Sequence, residues 1–205
     1  MTPFVIAHRG ASWEERENTL PAFERAIQVG ADYIEFDVHA ADDGRLVVVH
    51  DSPRPSGVYP TLEEVLEVAA GRIGVMVELK RPYRYRRRDL VRRTLELVDR
   101  DAVIVSFEQR ALQEVRRLRP ELRTIQHVGF GVSIRRAGDG WAVGFSNSRI
   151  TRRGIARAKS LGLLTTVYTV NEPGRLLELA ALGVDGVFTD RPDLARRTLA
   201  SRRRD

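Results

Sequence analysis

The sequence predicts an α/β fold: a (β/α)8 barrel of the TIM type, in a single domain. Three observations carry this expectation. Short apolar runs alternate with longer amphipathic stretches along the 205 residues. One Asp-Gly pair explains why the runs number one more than a barrel needs. Acidic residues recur on one face of neighbouring runs near their C-terminal ends, where barrels of this kind keep their chemistry.

The strand candidates are residues 4–8, 33–39, 46–50, 74–80, 102–106, 123–127, 141–145, 164–169 and 185–188. Helical patterns occupy 20–29, 62–69, 87–98, 109–119, 152–161, 173–182 and 192–200. Such alternation implies a parallel sheet with crossover helices. Thr61 and Glu64 have capping-box spacing. Gly162 and Gly183 follow helices and suit the left-handed position after a helix end. Pro173 and Pro192 suit a first helical turn. Asp43-Gly44 is a tight-turn signal, so residues 46–50 read as the return arm of a hairpin from the second strand, projecting over the C-terminal face. No linker, low-complexity segment or second domain interrupts the pattern, and residues 1–205 read as one barrel domain.

Apolar residues make up 42% of the chain, enough for a sizeable core. With 34 basic and 28 acidic residues the formal charge is +6, which favours anionic partners without choosing among phosphate esters, nucleic acid and acidic lipid. Cysteine is absent, so a metal must sit on carboxylates, imidazoles or carbonyls. The N-terminus has no charged leader, and no apolar run approaches the roughly 20 residues of a membrane span. A soluble, cytoplasmic protein is expected.

Side chains alternate across a strand. In residues 33–39, Ile34, Phe36 and Val38 face the helices, and Glu35, Asp37 and His39 face the barrel interior. In residues 75–80, Val75, Val77 and Leu79 share the helix side, and Met76, Glu78 and Lys80 the interior. Inward carboxylates are costly unless something positive neutralises them, and a hard divalent cation does that well. A lone inward carboxylate is more often held by a salt bridge, but three together at strand ends argue for a site. Lys80 is placed to reach a bound anion. His8 closes the first strand and His50 the hairpin, a pair suited to general acid and base work. Arg9 offers a planar fork for phosphate oxygens, and Gly10 lets the backbone turn. His39 reads as structural, and His127 as a weaker candidate for substrate contact.

These residues also carry a resemblance. The chain resembles the glycerophosphodiester phosphodiesterases through His8-Arg9-Gly10, Glu17-Asn18-Thr19, residues 30–38, Asp43-Gly44, Val49-His50-Asp51 and Glu78-Leu79-Lys80. The likeness continues through Ser106-Phe107 and Thr169-Val170-Asn171 to residues 185–192. The resemblance implies a TIM-like barrel that hydrolyses a phosphodiester to a phosphomonoester and an alcohol. It carries over His8 and His50 as the catalytic pair, Glu35, Asp37 and Glu78 as ligands for Mg²⁺ or Ca²⁺, and Arg9 and Lys80 as phosphate contacts. The substrate expected is a small-molecule phosphodiester. Two departures stand out. The small insertion usual after the His-Asp motif is missing, so residues 52–60 connect directly to the next helix. Tyr168 stands where the family often has tryptophan, and either lines the pocket or fills the barrel.

Two other functions compete. Residues 81–88 mix cations and aromatics as single-strand binders do, and the tail 201–205 is basic, although cations also suit a helix C-terminus. Attraction of anionic diesters is the favoured use of the loop, ahead of nucleic acid. A lysophospholipase D-type substrate is the other alternative, since a short connection opens the pocket mouth to an alkyl chain and to peripheral lipid contact. Oligomeric state is unreadable from the sequence.

Overall fold

Alternation builds the barrel wall, and the computed structural model, which describes residues 2–84, 89–129 and 133–201, shows how it closes. The chain runs β1 (Phe4–His8), α1 (Leu20–Gln28), β2 (Tyr33–Ala40), β3 (Leu46–Val48), α2 (Leu62–Ala69), β4 (Gly74–Leu79), α3 (Leu90–Leu97), β5 (Val103–Ser106) and α4 (Gln109–Leu118). It continues through β6 (Arg123–Val128), a 3-10 turn (Ile134–Ala137), β7 (Ala142–Ser146), α5 (Arg152–Ser160), β8 (Leu164–Tyr168), α6 (Pro173–Ala181), β9 (Gly186–Thr189) and α7 (Pro192–Ser201).

The sheet order is β1-β9-β8-β7-β6-β5-β4-β2, and the pairing of β1 with β2 closes the ring. The barrel therefore has eight parallel strands, as expected. The ninth strand, β3, pairs antiparallel with β2 outside the ring. Ala41 and Arg45 bracket its turn, in which Gly44 takes φ +89°. The hairpin expectation holds, but the return arm ends at Val48 rather than at residue 50. Beyond it, the Val49 N–H reaches across to the Asp37 carbonyl at 2.9 Å. That bond ties the segment leading into His50 to the strand that carries the inward acids.

Helix ends follow their signals. The Thr61 and Glu64 side chains exchange bonds with each other's backbone, completing the capping box. Gly162 and Gly183 take φ of +74° and +75° after α5 and α6. The helix expected from residue 87 starts, among the described residues, at Leu90; residues 85–88 and 202–205 lie outside the described residues. No helix among the described residues is long and apolar enough to cross a membrane.

Outward residues of β2 and β4, such as Phe36, Val38 and Val77, pack against Phe23 of α1, Leu62 and Val65 of α2 and their neighbours. Inward residues fill the interior: Ile6, Met76, Val103, Val105, Ile125 and Phe188. The floor is sealed by Phe4 stacked on Trp141 at 5.7 Å, with the Arg123 guanidinium over the Trp141 ring. The mouth above is polar. Between β1 and α1 the chain reverses at Arg9 (φ +58°) and Gly10 (φ +86°). A Cβ at Gly10 would stand 2.7 Å from the Ala22 backbone, in addition to the unfavourable φ. Gly10→Ala is therefore expected to lower stability by more than about 2 kcal/mol, read as a fall in the urea midpoint. A wild-type midpoint would show that the turn has room to relax.

Candidate active site

Register assembles the acidic cluster. Parallel pairing sets His8 beside Glu35 and Asp37 beside Glu78, all on inward positions. Glu35, Asp37 and Glu78 are buried, and each offers an oxygen within 4.8 Å of the others. Three cationic or donor groups meet them. Lys80 Nζ lies 2.7 Å from Glu78 Oε1 and 2.9 Å from Asp37 Oδ1, the second contact an ion pair not aligned as a hydrogen bond. Arg9 Nε lies 3.1 Å from Asp37 Oδ2, and Arg9 Nη1 donates to Glu17 at 2.8 Å. The buried Asn18 amide donates to Asp37 Oδ2 at 2.9 Å and accepts from the Asp37 backbone N–H. The left-handed turn at Arg9 brings its own backbone N–H to Glu35 Oε2 at 3.1 Å.

Those partners do not balance the charge. Burial, joined by the Asp37 charge, pushes the Glu35 carboxyl up to about 8. Burial likewise raises Glu78, partly opposed by Lys80. Asp37 goes the other way: burial would raise it, but Lys80 and Arg9 outweigh burial and lower it. Glu35 Oε1 is buried with no hydrogen-bond partner. An unmatched acceptor inside an oxygen-only cluster is the environment a hard divalent cation takes, so the triad is able to hold a metal.

Both candidate catalytic histidines have a carboxylate on Nδ1. His8 Nδ1 donates to Asp190 Oδ1 at 2.7 Å, which leaves Nε2 as the nitrogen free to exchange a proton. Asp190 is held in turn by Ser12 Oγ at 3.1 Å and Asn171 Nδ2 at 2.6 Å, while Asn171 Oδ1 accepts the Asp190 backbone N–H. Burial alone would lower the His8 pKa, but the Asp190 hydrogen bond and the Glu35 charge outweigh it and raise it. His50 is more open; its Nδ1 lies 3.1 Å from Asp51 Oδ1. The buried His39 donates from Nε2 to the His50 carbonyl at 3.2 Å, the structural role expected of it. A carbonyl only accepts, so this bond fixes the His39 tautomer.

A cleft of about 230 Å³ meets the cluster at Glu78 and Lys80, and His39, His50, Asp51, Arg81, Phe107 and Glu108 also line it. Tyr168 points inward but does not line this cleft. Its hydroxyl donates to the Val128 carbonyl at 3.2 Å, and its ring stacks on His127 at 4.4 Å. The exposed Phe107 ring sits edge-on to both. His127 is buried, and neither ring nitrogen has a partner. Asp190, Asn171 and Asn18 hold the site together, yet strand alternation did not single them out. Their only sequence signal was membership of the quoted motifs.

Known proteins resemble the chain along nearly its whole length. The glycerophosphoryl diester phosphodiesterase family matches residues 8–54 and 52–194. The chain belongs to this family. It is 32% identical to YhdW of Bacillus subtilis, over 93% of this chain and 95% of that protein. It is 29% identical to a glycerophosphodiester phosphodiesterase of Bacillus altitudinis, over 93% and 96%. A glycerophosphodiester phosphodiesterase from Parabacteroides distasonis superposes with a TM-score of 0.86 at 28% identity, over 98% of both chains. An Oleispira antarctica phosphodiesterase, solved with the product sn-glycerol-3-phosphate, shares the fold with a TM-score of 0.87 at 24% identity, over 97% of both chains. The family match breaks in two at residues 52–54, inside the short connection from β3 to α2. The alignment with YhdW spans 231 positions, more than this whole chain of 205 residues, so the chain carries gaps relative to that protein.

His127 gives a testable pH signature. Burial first, then the nearby Lys80 charge, lower its pKa to about 3. An unfolded chain protonates this histidine below about 6.5, whereas the folded one stays neutral down to about 3. The stability it contributes is present above 6.5 and is lost as pH falls between those values, reaching about 2 kcal/mol at pH 5. Unfolding free energies from urea titrations at pH 7.5 and pH 5 should differ more in the wild type than in His127→Phe, by that amount. Equal losses in the two proteins would show that His127 takes up a proton in the folded state as readily as in the unfolded one.

Proposed function

We propose that the chain hydrolyses glycerophosphodiesters to glycerol phosphate and an alcohol, with a divalent cation on Glu35, Asp37 and Glu78 and proton transfer by His8 and His50. One observation carries this reading: two carboxylate-backed histidines adjoin an acid cluster that holds more negative charge than its protein partners balance. When bound, the cation, Mg²⁺ or Ca²⁺, supplies Lewis-acid polarisation of a phosphate oxygen.

The side chains do the rest. His8 uses Nδ1 on Asp190 and keeps Nε2 for the reacting oxygen; His50, backed by Asp51, stands on the cleft wall. One of the two takes the proton of the attacking oxygen and the other returns one to the leaving alkoxide. Lys80 has three donors and, among the described residues, only two ion-pair neighbours, Glu78 and Asp37, so at least one donor is left for a phosphate oxygen. Arg9 supplies positive charge on the Asp37 side. Tyr168 contributes through the ring of Phe107, which forms part of the cleft wall. A lipid-bearing diester is the second reading. It rests on the open trough of about 630 Å³ beside His50, lined in part by Arg16, Tyr59 and the fully exposed Val58.

His8→Ala and His50→Ala should each lower kcat on glycerophosphocholine by about 100-fold or more, with circular dichroism unchanged. Near-normal turnover in either variant removes that histidine from the mechanism. Chelator should abolish turnover and added Mg²⁺ or Ca²⁺ restore it; full activity in EDTA would sink the metal assignment.

A further inference from the structure

The acid cluster reaches the cleft through Glu78, with Lys80 beside it. Arg81 lines the cleft too, and Ser52 lines the adjoining trough, which shares His50 and Asp51 with the cleft. Arg81 Nη1 and Arg84 Nη1 each donate, at 3.4 Å, to one and the same atom, Ser52 Oγ. Like charges directed at one point repel, and a neutral hydroxyl accepts from a guanidinium less strongly than an anionic oxygen does. Among the described residues no carboxylate pairs with Arg81. Two acids do line the same cleft. Asp51 is engaged by His50, and Glu108 lies at the start of α4.

The backbone turns to create this division. Arg81 holds φ +45°, a conformation that disfavours any residue with a side chain. The reversal leaves Lys80 on the acid cluster and Arg81, its neighbour, on Ser52, with both lining the cleft. Ser52 stands two residues beyond His50, at the start of the short connection to α2, within reach of both arginines. An anionic oxygen at the Ser52 position would meet two guanidinium donors at once, the arrangement that suits phosphate or carboxylate.

We infer that Ser52, Arg81 and Arg84 form a second anion subsite, which selects diesters whose leaving alcohol carries a phosphate or carboxylate of its own. The inference rests on the hydrolase reading above and names the substrate class within it.

Matched pairs test it. Glycerophosphoinositol 4-phosphate and glycerophosphoinositol differ by one phosphate; glycerophosphoserine and glycerophosphoethanolamine differ by one carboxylate. The anionic member of each pair should have the lower KM, by roughly fivefold, the size expected of exposed ion pairs. Both guanidiniums are on the surface, so the advantage should shrink as salt is raised. In Arg81→Gln/Arg84→Gln the KM ratio within each pair should fall to about one. The within-pair ratio is insensitive to any loss of activity common to both members. A ratio near one in the wild type, or one unchanged in the double variant, overturns the subsite. Calorimetric titration of the inositol pair in EDTA reads the same preference without turnover. Equal Kd values there overturn the subsite. An enzyme that binds the phosphorylated member more tightly but hydrolyses neither overturns the hydrolase reading alone.

Discussion

Three carboxylates buried within one small volume of a barrel mouth are the constraint around which this structure is arranged. Each would be neutral in isolation at that depth, since desolvation disfavours the charged form. The chain answers with Lys80 against Glu78 and Asp37, Arg9 against Asp37, and Asn18 bonded to Asp37 through both side chain and backbone. It leaves Glu35 underserved. One of its oxygens receives only a backbone N–H, and the other receives nothing. The left-handed Arg9 and the close approach of Gly10 to α1 follow from that arrangement, because the turn must bring both the Arg9 guanidinium and its own N–H back over the cluster.

The apolar interior sets the strength of the constraint. Ile6, Met76, Val105, Ile125 and Phe188 fill the barrel below the acids, and aromatic rings close its floor. Charges above such a layer are screened less than at a surface, so each missing or added cation matters more. His127 joins this layer, through Phe188, to the cleft wall, through Phe107. Its ring lies over Gly144, where a Cβ would stand 2.2 Å from His127 Cδ2, and between the rings of Tyr168, Phe107 and Phe188. A neutral imidazole there fills space within the field of Lys80 without adding a competing charge.

Alternation made the wall of the barrel and its acids readable from the sequence. Glu35, Asp37, Glu78 and Lys80 differ from their apolar neighbours by facing the other way, and a period of two residues shows that directly. The Asp43-Gly44 turn removed β3 from the ring for an equally local reason. What alternation does not reach is the loop at each strand end. Asp190 lies one residue beyond β9, and Asn171 and Asn18 lie in connections, so their facing depends on three-dimensional closure of the ring. His8 meets Asp190 only because β1 pairs with β9, the last strand of the chain. β3 is shorter than its composition suggests for a related reason. Val49 and His50 look like continued strand by composition; the Val49 N–H still bonds to Asp37 in the register of β2, and the pairing goes no further.

The two histidines also show how differently one chemical motif is supported. The Asp190 contact of His8 is partly buried and braced by Ser12 and Asn171, and its geometry is set by ring closure. The Asp51 contact of His50 is between sequence neighbours at the surface, and nothing comparable braces Asp51 among the described residues. What secures His50 is its backbone, through the His39 bond to its carbonyl and the Val49 bond to β2 just before it. The fold therefore positions one histidine by its side chain and the other by its main chain. The second solution leaves the His50 imidazole freer to change rotamer while its Cα stays fixed over the cleft. It also leaves the neighbouring connection, with Ser52 at its start, free to vary in length without disturbing the acids beneath it.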